Sequence, residues 1–196
     1  IGVNHSDEEL IRKISNAELR VDYLTIDIAH GHSEGMKRML HTIRQKATFC
    51  FQGQCRVIAG NVATPEGVRD LCSWGANVVK VGIGQGSPCT TKDKTGFTLP
   101  MFSCVLECAG VQYGPSGTIP VIADGGVQST GDIAKAIRAG ACMVMAGGIF
   151  AQCKDSPAET IEIGGEKRKA YFGSASKFNK GHSNHIEGVQ RNLGLE

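Results

Sequence analysis

Short apolar runs alternate with amphipathic stretches along most of the chain. The apolar runs are Ile1–Val3, Tyr23–Ile28, Arg56–Ala59, Val78–Val81, Ile119–Ala123 and Ala141–Ala146. They are apolar on both faces, which predicts strands of a parallel sheet covered by helices. The stretches between them carry helix signals. Ser6 followed by Glu9 reads as a capping box, with Leu10, Ile11 and Ile14 on one face. Ser33 opens a second helix whose Met36, Met39, Leu40 and Ile43 turn inward. Thr64 caps a third, with Pro65 in its first turn and Val68, Leu71 and Cys72 facing the core. Residues 101–111 predict a fourth, and residues 130–139 a fifth that ends at Gly140.

Polar and glycine-rich residues always follow the strands. Asp27 to Gly31, Gly60-Asn61, Gly82 to Thr91, Asp124-Gly125-Gly126 and Gly147-Gly148 occupy these places. Chemistry at the carboxyl ends of successive parallel strands predicts a TIM (β/α)8 barrel. A doubly wound α/β sheet is the alternative. Six strands are legible where the barrel needs eight, so the first two βα units are expected before Ile1. Residues 1–150 therefore form a partial barrel core. The period stops after Phe150, and 151–196 are expected to be a mobile active-site flap and tail of the same domain.

Composition narrows the function classes. The 196 residues carry a net charge of +2 with no basic stripe, which argues against nucleic-acid binding. No apolar run is long enough to predict a membrane span, and residues 1–5 lack a signal-peptide pattern. The eight cysteines include no Cys-x-x-Cys and no Cys/His cluster of zinc spacing. Cys72, Cys104, Cys108 and Cys142 fall in apolar periodic segments and are expected in the core. Cys50 and Cys55 flank an insertion and suit pairing in an oxidising setting, but the remaining pattern points to a reducing cytoplasm.

The densest chemistry lies in 82–91. Three glycines in five positions let a backbone turn tightly and aim several N–H groups at one point. Cys89 at its end is a candidate nucleophile, Ser87 a candidate anion ligand, and Thr90 and Thr91 candidates for handling water or a leaving group. The loop is not a dinucleotide fingerprint, because its glycines end in a nucleophile loop. His30 and His32 lack further ligands nearby and are expected to be structural. His182 and His185 are expected in solvent, and Trp74 in the core.

Five blocks in order resemble the inosine-monophosphate dehydrogenase and guanosine-monophosphate reductase superfamily. They are Asp27-Ile28-Ala29-His30-Gly31-His32-Ser33, Ala59-Gly60-Asn61-Val62, the 82–91 loop, Ile122-Ala123-Asp124-Gly125-Gly126 and Val144-Met145-Ala146-Gly147-Gly148. Lys94-Thr95-Gly96, Ala59 before Gly60-Asn61, Glu107-Cys108-Ala109 and the Tyr171 to Ser176 run resemble the reductase branch. The chain departs from the family pattern at Gln85 and Pro88, and the part after Glu187 is several residues short of it. Proline at 88 removes a backbone donor beside the cysteine.

The resemblance implies NADPH-dependent reductive deamination of guanosine monophosphate to inosine monophosphate through a covalent Cys89 intermediate. It assigns Thr91 and Glu187 to the departing amine. It assigns Ser87, Gly126, Gly147, Gly148, Ser174 and Tyr171 to the nucleotide phosphate and Asp124 to the ribose. Asp27 and Asn61 fall to the cofactor side. It leaves room for a potassium ion on the backbone carbonyls of Gly84, Gly86 and Cys89, and it implies a cytoplasmic homotetramer. Two alternatives stand beside it. One is the NAD-dependent dehydrogenase of inosine monophosphate, which needs a flap Arg-Tyr pair absent between Lys154 and Glu196. The other is a noncatalytic nucleotide-binding barrel remnant.

Overall fold

A computed structural model describes residues 1–47, 55–89, 91–114 and 117–173, together with the backbone of 189–192. Five parallel strands build the main sheet: β1 Tyr23–Asp27, β2 Arg56–Val62, β3 Val78–Val81, β4 Val121–Asp124 and β5 Met143–Met145. They pair in sequence order, β1-β2-β3-β4-β5. A doubly wound sheet reverses its order at a switch point, and this sheet does not. The sequential order is that of a (β/α)8 barrel.

Ile1–Val3 is not a full strand. Its amino group donates to Thr25 O at 2.9 Å, and Asp27 N donates to Ile1 O at 2.9 Å. These two bonds are one rung of a parallel ladder outside β1.

The helices are α1 His5–Asn16, α2 Glu34–Lys46, α3 Pro65–Ser73, a short α4 Thr91–Thr95, α5 Met101–Cys108, α6 Thr130–Arg138 and a short α7 Gly148–Ala151. Ser33 and Thr64 cap α2 and α3 as expected, their hydroxyls accepting from Met36 N and Gly67 N. The cap of α1 is Asn4 rather than Ser6. Asp7 accepts from the backbone N–H groups of Asn4 and Gly2, each at 3.0 Å. One carboxylate satisfies two donors there, which outcompetes a hydroxyl two residues on.

The core lies between the sheet and this helical layer. Val57, Val79, Val81 and Ala123 meet Met36, Met39, Leu40, Val68, Leu71 and Val105, all fully buried. Each large side chain of this kind contributes about 1.5–3 kcal/mol when buried. Cys104 and Cys108 are in this core, whereas Cys142 is exposed. Cys142 immediately precedes the outermost strand, where Met143 is exposed as well. The Cys142 thiol donates to Val121 O at 3.2 Å.

The βα period ends after α7. The next segment holds two antiparallel strands, β6 Thr160–Ile163 and β7 Glu166–Tyr171, and β8 Val189–Asn192 pairs with β7. Lys169 on β7 is buried, and its ammonium donates to the carbonyls of Lys154 and Ser156. That bond set ties the hairpin to the turn after α7. Among the described residues no helix is long and apolar enough to cross a membrane.

Candidate active site

Four neighbouring strands converge on one buried ammonium. Parallel register sets Asp27 beside Gly60 and Gly60 beside Lys80, with Lys80 beside Ile122. Asp27 and Asp124 close β1 and β4, so both carboxylates reach back toward the lysine between them. Lys80 Nζ lies 2.7 Å from Asp124 Oδ2 and 3.2 Å from Asp27 Oδ2. Asn61 Nδ2 donates to the same Asp124 Oδ2 at 2.8 Å and to Gly82 O at 2.8 Å. The lysine side chain is 1% exposed, Asp124 20% and Asp27 48%. An ammonium this deep requires compensating charge, and the two carboxylates supply it at the mouth of the sheet.

The cysteine loop leaves β3 over the same carboxylate. Gly82 N donates to Val62 O at 2.9 Å. Gly82 has φ +134, and a β-carbon there would lie 2.2 Å from Asp124 O. No other residue type fits that close approach. Cys89 N donates to Gly86 O at 2.9 Å and closes a turn over Ser87 and Pro88. Proline is accommodated because the donor that closes this turn belongs to Cys89. Gln85 takes over a fastening role, its amide donating to Leu99 O. Its Oε1 is buried without a partner.

The Asp124 turn packs directly on this loop. The β-carbon position of Gly125 is 3.0 Å from Gly86 N, and that of Gly126 is 3.2 Å from Gln85 Cβ. The end of β7 closes on the other side. Tyr171 OH lies 2.0 Å from the β-carbon position of Gly147, which caps α7, and that of Gly173 is 3.1 Å from Pro88 O. Residues 171–173 therefore cover both the cysteine loop and the Gly147 turn.

The structure thus brings most of the expected residues to one end of the sheet. Asp27, Asn61 and Asp124 form one bonded cluster. Ser87, half-buried Cys89 and Gly126 border it, and Gly147, Gly148 and Tyr171 form the adjoining rim. Thr91 begins α4, and its carbonyl accepts from Thr95 Oγ1 at 2.8 Å. Ser174, Glu187 and Thr90 lie outside the described residues, as do Cys50, His182 and His185. Lys80 was not singled out by sequence reasoning. The signal was one cationic letter inside Val78-Val79-Lys80-Val81, an otherwise apolar strand running into the loop. Such a residue is buried with its charge and needs partners.

Other candidates are structural. His32 Nε2 sits 2.8 Å from Asp70 Oδ2 and its ring 5.7 Å from that of Trp74. Among the described residues no group of His, Cys, Asp and Glu is arranged to hold a metal ion. The Gly86 carbonyl, one of the three expected potassium ligands, is turned into the loop to accept the Cys89 N–H. A cavity of about 440 Å³ lies at the opposite, amino-terminal ends of β2 to β4. Its Arg44 is held by Gly75 O and Asn77 Oδ1, so the groove is a braced packing seam.

Reactive groups gathered at the carboxyl ends of sequential parallel strands are the layout of (β/α)8-barrel enzymes. The chain belongs to the IMP dehydrogenase / GMP reductase family, whose domain profile matches residues 1–192. It is 47% identical over 189 residues to GMP reductase of Leptothrix cholodnii, covering 95% of this chain and 55% of that protein. GMP reductase of Staphylococcus carnosus is 45% identical over 190 residues, covering 96% of this chain and 55% of the relative. The chain thus spans about half the length of the curated relatives it matches. A crystal structure of a cysteine-to-alanine variant of Trypanosoma brucei GMP reductase, in complex with guanosine 5′-monophosphate, superposes with a TM-score of 0.81 at 32% identity. That match covers 100% of this chain and 41% of the other.

Proposed function

We propose that this chain carries the nucleotide site and nucleophile of a reductase converting guanosine monophosphate to inosine monophosphate and ammonia. The observation that carries the reading is the packing of the Cys89 loop onto the Asp124–Gly126 turn. The relatives named GMP reductase at 45–47% identity support the substrate assignment.

In this reading the Cys89 thiolate adds to C2 of the purine. The 2-amino group takes up a proton and leaves as ammonia, with Thr91 and Glu187 managing that proton. The purine remains bonded to sulfur through C2. NADPH, when bound, supplies the hydride that C2 accepts. The C2–S bond then breaks, the thiolate is restored, and inosine monophosphate is released.

The remaining residues bind and orient. Asp124 accepts from the ribose hydroxyls through its carboxylate. Ser87, Gly126, Gly147, Gly148, Ser174 and Tyr171 form the phosphate rim, where glycines present bare N–H groups. Asp27 and Asn61 face the cofactor. The fit is supported by Asn61 Oδ1, a buried acceptor with no partner, which suits an amide donor such as a carboxamide. No step is routed through potassium. Every described cysteine is free, which suits a reducing, cytoplasmic setting. A homotetramer is the assembly implied by the family.

The deciding assay follows NADPH absorbance with guanosine monophosphate present. Loss of NADPH matched one-to-one by ammonia is expected. Turnover of inosine monophosphate with NAD in place of this reaction would assign the dehydrogenase chemistry instead. Nucleotide binding without either turnover would assign the noncatalytic remnant.

A further inference from the structure

We propose that Lys80 is a positioning residue that couples the nucleotide and cofactor halves of the site by sharing one ammonium between Asp124 and Asp27. This rests on the assignment of Asp124 to the ribose and Asp27 to the cofactor.

The geometry is that of a shared counter-ion. Lys80 Nζ bonds Asp124 Oδ2 on β4 and reaches Asp27 Oδ2 on β1, with Met145 Sδ of β5 at 3.8 Å. Asn61 of β2 donates to that same Asp124 oxygen. Asp124 Oδ2 therefore takes both protein donors, and among the described residues nothing bonds Oδ1. That oxygen is left for a ligand hydroxyl. Two carboxylates against one ammonium leave one unit of negative charge spread over both. Each carboxylate is thus only partly neutralised and remains a strong acceptor toward its own ligand. The ammonium itself is fully buried and does not reach solvent.

Sharing has a consequence that simple bracing lacks. If either carboxylate is neutralised, the ammonium belongs wholly to the other. The survivor becomes a weaker acceptor for its ligand. A ligand that neutralises Asp27 on the cofactor side must then be felt at the ribose, and by linkage the ribose ligand affects cofactor binding by the same factor.

The test measures the affinity ratio of guanosine monophosphate to 2′-deoxyguanosine monophosphate by calorimetry on the intact protein. Asp27 is half exposed, so Asp27→Asn is a mild substitution for the fold. Asp27→Asn is expected to lower the ribose preference about fivefold, and Asp124→Asn to lower NADPH affinity. In a Lys80→Met background the Asp27→Asn effect on the ribose ratio should disappear. Should Lys80→Met fail to fold, the two cross-effects alone decide. A wild-type protein that prefers the ribonucleotide, with a ratio untouched by Asp27→Asn, overturns the coupling and leaves the ribose assignment standing. A wild-type protein with no ribose preference overturns the reading of Asp124 itself.

Discussion

The Tyr171 hydroxyl occupies the space that a side chain on Gly147 would need, 2.0 Å from the β-carbon position. The tyrosine ring follows, with Cζ at 3.0 Å. A residue on β7 is thereby seated on the turn that follows β5, two elements with no shared sheet. Gly147→Ala must expel Tyr171 or shift the turn. We expect nucleotide affinity to fall about tenfold or more, because one rim residue is displaced from the others. Tyr171→Phe removes the closest atom, so the double variant should lose less than the sum of the two single changes. Strict additivity in a binding titration would show that the two residues do not act together.

Cys89→Ala should abolish turnover while leaving nucleotide binding largely intact. The side chain sits beyond the turn that Cys89 N–H closes on Gly86 O, a bond that alanine retains. Mass spectrometry of wild-type protein trapped with substrate should find the adduct on Cys89. Near-normal turnover in the alanine variant would remove Cys89 from the chemistry.

In the proposed mechanism, Glu187→Gln separates the two chemical steps. Glutamine keeps the shape of the side chain and cannot carry the proton. Ammonia release is expected to slow by about 10²–10⁴-fold, the range for losing a general acid–base group. Hydride exchange between NADPH and inosine monophosphate should suffer far less. An equal loss in both half-reactions would mark Glu187 as structural.

The cap of α6 predicts an acid-dependent stability. The Asp132 carboxylate is held below the usual carboxylate range, foremost by the Gln128 N–H and then by the Ser129 hydroxyl. Those bonds are 3.1 Å and 3.0 Å long. A carboxylate with a lowered value stabilises the folded state above its unfolded value, about 3.9. That contribution is lost as pH falls through the folded value. Asp132→Asn should therefore melt below wild type at neutral pH, and the two melting curves should converge under acid. A gap that stays constant from neutral to strongly acidic pH would refute the charge-based cap.

Thiol accessibility offers an independent check of the core. The Cys108 thiol is pushed well above its ordinary value by its hydrogen bond to Cys104 and by burial. It should resist alkylation at neutral pH in folded protein and react on unfolding. Cys142 is exposed beside the outermost strand, yet partial desolvation of its thiol raises its value too, so it should label slowly. Rapid native-state labelling of Cys108 would contradict the packing of α5.

Elements governed by neighbouring residues were legible in the chain itself. The apolar runs located the strands, and Ser33, Thr64 and Gly140 marked helix ends, because caps and periodicity act over a few residues. Glycine-rich turns after the strands pointed to the end of the sheet where Asp27, Asn61 and Asp124 gather. Where local signals competed, as Ser6 with Asn4, the carboxylate of Asp7 decided through two bonds that the capping pattern alone did not rank. The antiparallel hairpin of β6 and β7 was not legible in the same way: Ile161 and Ile163 alternate over only four residues, and β7 carries the charged run Glu166-Lys167-Arg168-Lys169.

Lys80 shows where the chain's own letters stopped. Its identity and its apolar neighbours were visible, and they required burial of a charge. Its partners were not visible, since Asp124 lies 44 positions away and Asp27 further still. Only the parallel register, which sets Asp27, Gly60, Lys80 and Ile122 side by side, decided that one ammonium would meet two carboxylates. The same holds for Tyr171 and Gly147. Sequence determines which groups are present and how the local backbone turns. Contact between groups far apart in the chain is set by strand order and by the burial that drives the sheet and helices together.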